Sequence, residues 1–175
     1  IPVMADDTSA STQAFGDEVV IADFTKFDDI KKIVGEVDMI QSVDSLRLAE
    51  EIERECSKKN ICMPILVEIN IGNEESKSGI SSEETEEFLK KISVFPHLKV
   101  KGLMAIPPAT ENKEIIIKNF KKMYQIYLDI KEKMLDNVDM ELLSIGMSDD
   151  YKEAVQCGSN MVRIGSLVFG HRNYN

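Results

Sequence analysis

The chain has 175 residues, enough for one domain with a sizeable core. Its 43% hydrophobic and 30% charged residues are those of a soluble globular chain, and no apolar run approaches the length of a membrane span. A net charge of -10 with no basic stripe argues against nucleic acid or an anionic membrane surface as a partner.

Residues 1–18 are rich in Ser, Thr, Asp and Ala and predict no particular element. "VVIADF" (19–24) predicts a strand and "FDDIKKIV" (27–34) a helix. "DMIQSVDS" (38–45) predicts a strand with a polar exit. Asp44 or Ser45 then caps a helix whose inner face is Leu48, Ala49, Ile52 and Cys56. "ILVEINI" (65–71) is a branched apolar run, hence a strand, and Asn73 to Gly79 a polar loop. Ser81 with Glu84 forms a capping box that opens a helix bearing Phe88, Leu89 and Ile92 on one face. "VKGLMAI" (100–106) predicts the next strand, ended by Pro107 and Pro108.

Ile116, Phe120, Met123, Tyr127, Ile130 and Met134 recur at helical spacing and predict a long helix with that stripe in the core. "MELLSIG" (140–146) predicts a strand. Asp149 or Asp150 starts a helix that ends at Gly158, and "MVRIG" (161–165) is the last strand. With no repeat and no interior linker, residues 1–175 are expected to form a single domain, with 1–30 divergent.

Cys56, Cys62 and Cys157 are scattered and odd in number, without metal-type spacing. They are expected to be reduced thiols in a reducing compartment, which with the absence of a signal peptide predicts a cytoplasmic protein. A start at Ile1 rather than Met is expected of a fragment or a processed product. Neither His97 nor His171 has a ligand cluster in sequence, so no metal site is expected. No Ser/His/Asp or Cys/His constellation is visible either.

Strands separated by helices mean a parallel sheet, either an open doubly wound one or a barrel. In both, function sits just past the carboxyl ends of the strands. Gly146, Ser148, Gly165 and Ser166 follow the last two strands. Small residues let backbone N–H groups approach an anion, and hydroxyls add donors, so this pair of turns suits a phosphate; simple turn formation is the alternative. Arg163 stands in a strand, where a buried guanidinium needs acceptors. It either pairs with Glu68 on another strand or faces an acceptor on a ligand.

"IQSVDSLRLAEEI", "LVEINIGNEESKSGI", "VKGLMAIPP" and "LLSIGMSDDYKEAVQCGSNMVRIGSLVFG" together resemble the pyridoxal phosphate homeostasis proteins, relatives of the N-terminal barrel domain of alanine racemase. The resemblance spans roughly residues 31 to 173. It implies a parallel α/β fold, a (β/α) barrel of the alanine racemase N-terminal type, incomplete or rearranged at the N-terminus. It also implies an intracellular carrier of pyridoxal 5'-phosphate without established catalysis. Ser148 and the backbone around Met147 would hold the phosphate, Gly165 and Ser166 would complete the cup, and Arg163 would face the pyridine nitrogen, which weakens the ring as an electron sink.

The chain departs from the family pattern at its N-terminal end, where "FGDEVVI" (15–21) replaces an "FGEN"-like stretch and the usual "HFIG" strand is absent. The family carries its aldehyde-binding lysine at the end of the first strand, in a stretch like "AVSKT", whereas residues 1 to 25 contain no lysine. Lys26 and Lys77 are the nearest substitutes, and neither is expected to serve. The rival readings are an amino-acid racemase-like enzyme, which needs a lysine and a second acid–base residue, and a non-binding remnant acting as an interaction module.

Overall fold

The computed structural model describes residues 27–74 and 77–170. The strand expected at 19–24, Lys26 and His171 lie outside the described residues.

Helix α1 (Phe27–Ile33) leads to strand β1 (Ile40–Val43) and helix α2 (Leu46–Lys59). Ser45 caps α2 as expected, its Oγ accepting from the Leu48 N–H at 3.3 Å. The helix ends at Asn60, which takes a left-handed conformation (φ 51°) and sends its N–H back to the carbonyls of Cys56 and Ser57. Strand β2 (Met63–Asn70) follows, and after the loop comes β3 (Ile80–Ser81), a two-residue strand the sequence did not announce. The Ser81 hydroxyl donates to Glu84 at 2.6 Å and accepts the Glu84 N–H at 3.2 Å, which organises the turn before α3 (Thr85–Ile92).

Strand β4 (Leu98–Met104), helix α4 (Lys113–Glu132), strand β5 (Val138–Met147), helix α5 (Tyr151–Gln156), strand β6 (Met161–Arg163) and the short helix α6 (Ser166–Phe169) complete the chain. The stripe on α4 buries Phe120, Met123, Tyr127 and Ile130. Met134, expected to extend that stripe, lies past the helix with φ 48° and is 86% exposed. The helix stops at Glu132, and the left-handed turn at Met134 sends its side chain to solvent.

The strands run in the order β1-β2-β4-β5-β6, with β3 attached to β2, and every pairing is parallel. One face of the sheet packs under the helices. Ile65, Val67 and Ile69 of β2 meet Ile52 and Cys56 of α2, Leu89 and Ile92 of α3, and Phe120 and Met123 of α4 in one apolar cluster. Leu66 and Met104 are buried but lie outside that cluster, so they mark the opposite face.

That opposite face is concave. Gln41 of β1 and Ser144 of β5 hydrogen-bond at 3.0 Å, although β2 and β4 stand between their strands. On a flat sheet three strand spacings would hold them about 14 Å apart. The sheet is therefore a strongly curled half-barrel, in line with the parallel barrel reading, with β1 and β6 at its two edges among the described residues.

Candidate functional site

The carboxyl ends of β5 and β6 bring the expected residues together. Met147 and Arg163 are register partners on the two strands. The Ser148 Oγ receives two backbone N–H groups, from Gly165 at 3.2 Å and from Leu167 at 3.3 Å. Ser166 lies between those two donors at the start of α6. Two amides thus converge on the Ser148 hydroxyl oxygen and tie the turns after β5 and β6 together.

The glycines have separate jobs. Gly146 adopts φ +92°, and a Cβ there would stand 2.4 Å from the Ala154 Cβ, so this glycine lets α5 pack against the end of β5. Around Gly165 a Cβ would meet nothing within 4 Å. That residue borders open space, where a bound group can sit.

The Met147 amide has a partner within the chain. Its N–H donates to the Asp150 Oδ1 at 2.7 Å, so its own amide is already engaged. Asp150 stands at the N-cap position of α5, yet its carboxylate reaches back to the strand end instead of capping the helix.

Arg163 turns into the concave interior and is 7% exposed. Its Nη1 donates to the Ser144 carbonyl and to the Ser144 Oγ, both at 2.8 Å, and its Nη2 donates to the Ala105 carbonyl at 3.1 Å. No ion pair to Glu68 forms; neutral acceptors hold the guanidinium. Burial lowers the Arg163 pKa, while the charges of Glu68 and Asp150 favour its cationic form. Its Nε is buried without a hydrogen-bond partner, as is the Gln41 Nε2. Orphaned buried donors are rare in folded proteins, so both atoms call for an acceptor.

Glu68 occupies the same row of the interior, since it pairs in register with Met104, and Met104 with Ser144. Its Oε1 accepts from the Ser78 hydroxyl at 3.2 Å. Burial raises the Glu68 pKa, opposed by the Ser78 hydrogen bond; nearby Asp44 raises it further and Arg163 lowers it. A cavity of about 280 Å³ opens beside it, lined by Glu68, Asn70, Lys77, Ser78 and Ile106. Lys77 is nearer the interior than a loop position suggests, but its ammonium is engaged by Glu74 at 2.7 Å and by the Pro107 carbonyl at 3.3 Å.

Gln41 and Ser144 were missed in the sequence. Their one signal was a polar side chain inside an otherwise apolar strand, Gln41 in "MIQSV" and Ser144 in "LLSIG". Among the described residues no cluster of His, Cys, Asp and Glu suits a metal ion, and no helix is long and apolar enough to cross a membrane.

Residues 10–173 match the family model of the alanine racemase N-terminal domain. The chain belongs to that family. It is 39% identical over 145 residues to the pyridoxal phosphate homeostasis protein of Aquifex aeolicus, covering 83% of this chain and 63% of that one. It is 41% identical over 138 residues to the protein of the same name from Haemophilus influenzae, covering 79% of this chain and 58% of the other. The chain thus spans about three-fifths of the length of these relatives.

Among solved structures, a protein of unknown function from Bifidobacterium adolescentis superposes with a TM-score of 0.79 at 32% identity, over 82% of this chain and 57% of that one. PipY of Synechococcus elongatus, solved with pyridoxal phosphate bound, superposes with a TM-score of 0.72 at 24% identity, over 83% and 66% of the two chains. The fold is that of the alanine racemase N-terminal domain.

Proposed function

We propose that this chain binds pyridoxal 5'-phosphate and serves intracellular homeostasis of that cofactor in the cytoplasm, without catalysis of its own. The observation that carries the reading is the convergence of the Gly165 and Leu167 amides on the Ser148 hydroxyl, beside the open space at Gly165. The curated relatives are named for pyridoxal phosphate homeostasis rather than for an enzymatic reaction, which supports the same direction.

The residues fit the cofactor at both of its ends. The Ser148, Gly165 and Ser166 turns suit the phosphate, with Met147 setting the position of the strand end. The orphaned Nε of Arg163 suits an unprotonated acceptor on the ring. When bound, the cofactor supplies an electrophilic aldehyde and an electron-withdrawing ring. Arg163 works against the second property, because a fixed cation disfavours a proton on the ring nitrogen. Ser148 orients the phosphate, and Leu66 and Met104 give the concave face an apolar wall.

Among the described residues, no lysine is placed to hold the aldehyde in our reading. Lys77 is committed to Glu74 and the Pro107 carbonyl, and residues 1 to 25 carry none. Binding through this chain's residues is then noncovalent. The test compares pyridoxal 5'-phosphate with pyridoxal, which lacks the phosphate, on the unaltered chain and on Ser148→Ala. The reading expects the phosphate form to bind far more tightly, and Ser148→Ala to remove most of that preference. Equal binding of both compounds would overturn it.

A further inference from the structure

Arg163 has only donors to offer, so the Ser144 Oγ must accept from it. The Ser144 hydroxyl hydrogen is then free to donate, and it meets the Gln41 side-chain oxygen at 3.0 Å. This fixes the amide of Gln41: its Oε1 faces Ser144 and its Nε2 turns away. The Gln41 Nε2 and the Arg163 Nε are the two buried donors left over by one continuous chain of hydrogen bonds, from β6 through β5 to β1.

We infer that Gln41 is a positioning residue for the ligand. Through Ser144 it sets the plane of the Arg163 guanidinium, and its own Nε2 adds a second donor for a lone-pair acceptor on the bound ring. The inference rests on the pyridoxal phosphate reading for the identity of that ring. An acceptor without a proton suits these two buried donors, and a protonated ring nitrogen does not. Among the described strands Gln41 comes from the one at the far end of the curled sheet, so the site is assembled only when the half-barrel is curled.

The experiment uses the full chain and the variants Gln41→Leu, Ser144→Ala and the double variant. Affinity for pyridoxal 5'-phosphate is read by visible absorbance. The Arg163 Nε–H resonance is read by proton–nitrogen NMR without ligand, and is assigned by its loss in Arg163→Lys. Each single variant is expected to shift that resonance and to weaken binding about tenfold. The double variant is expected to do little more than the stronger single one, because both break the same relay.

Wild-type affinity and an unmoved resonance in Gln41→Leu would overturn the inference while leaving the cofactor reading intact. If the unaltered chain does not bind the cofactor, the reading fails and takes the second-donor role with it. The resonance in Gln41→Leu still decides the positioning role in that case. Ser144→Ala keeps both arms decisive should Gln41→Leu fold poorly.

Discussion

Arg163 donates twice to Ser144, to its carbonyl and to its hydroxyl, at 2.8 Å each. The two residues lie on neighbouring strands, and the third acceptor is the Ala105 carbonyl beyond β4. A guanidinium that spans three strands in this way pins the curl of the sheet as well as facing the interior.

Replacing Arg163 by Leu should therefore destabilise the fold. It leaves the Ser144 hydroxyl and the Ala105 carbonyl without their donors in a buried setting. The expected loss is about 3 kcal/mol. Urea denaturation followed by circular dichroism measures it. A variant as stable as the parent would show that the guanidinium is held only for a ligand.

Glu68 gives a pH-dependent prediction. Burial raises its folded pKa above the ordinary carboxylate value, so the native state binds the proton more tightly than the unfolded chain. Stability conferred by the protonated form is complete below the ordinary value. It falls as pH rises through the folded pKa, and the deficit persists at neutral pH. Glu68→Gln keeps an acceptor for Ser78 and has no proton to lose. Its urea midpoint should exceed the parent's at neutral pH, and the two should converge below the carboxylate range. A gap that stays constant with pH would contradict this.

The two strand-end glycines should separate folding from binding. Gly146→Ala meets the Ala154 methyl and a strained φ, and should cost about 2–4 kcal/mol. Gly165→Ala meets nothing and should change stability by less than about 0.5 kcal/mol. Its methyl group enters the space a phosphate would use, so it should weaken pyridoxal 5'-phosphate binding nonetheless. Thermal unfolding and ligand titration of both variants check this. Normal affinity in Gly165→Ala would place the phosphate elsewhere.

Much of this architecture was readable from side-chain periodicity. Leu48, Ile52 and Cys56 on α2, with Ala49 beside them, and Phe120, Met123, Tyr127 and Ile130 on α4 recur every three or four residues, and all are buried. Gly158, expected to end the helix before β6, has φ +98°. The stripe failed at Met134, where the pattern continues but the helix does not.

The interior was harder to read because periodicity reports which residues share a face, not which strands a curl brings together. Gln41 and Ser144 lie 103 positions apart, and only the curvature makes them neighbours. Arg163 was recognised as needing acceptors, but a carbonyl leaves no trace in a sequence. Glu68 and a ligand acceptor were the two readings open in the sequence, and backbone oxygens with the Ser144 hydroxyl hold the guanidinium. Convergence of the Ser148 and Gly165 turns was anticipated because both follow strand ends, and parallel strands deliver those ends to one side.

The most direct test of the account is a titration of the chain with pyridoxal 5'-phosphate followed by visible absorbance, then borohydride reduction and intact mass. A saturable spectral shift that Ser148→Ala weakens is expected, with a protein mass unchanged after reduction and gel filtration. A single retained adduct would show that a lysine of this chain holds the aldehyde, with Lys77 the first to map. No spectral shift at any concentration would contradict the phosphate cup itself.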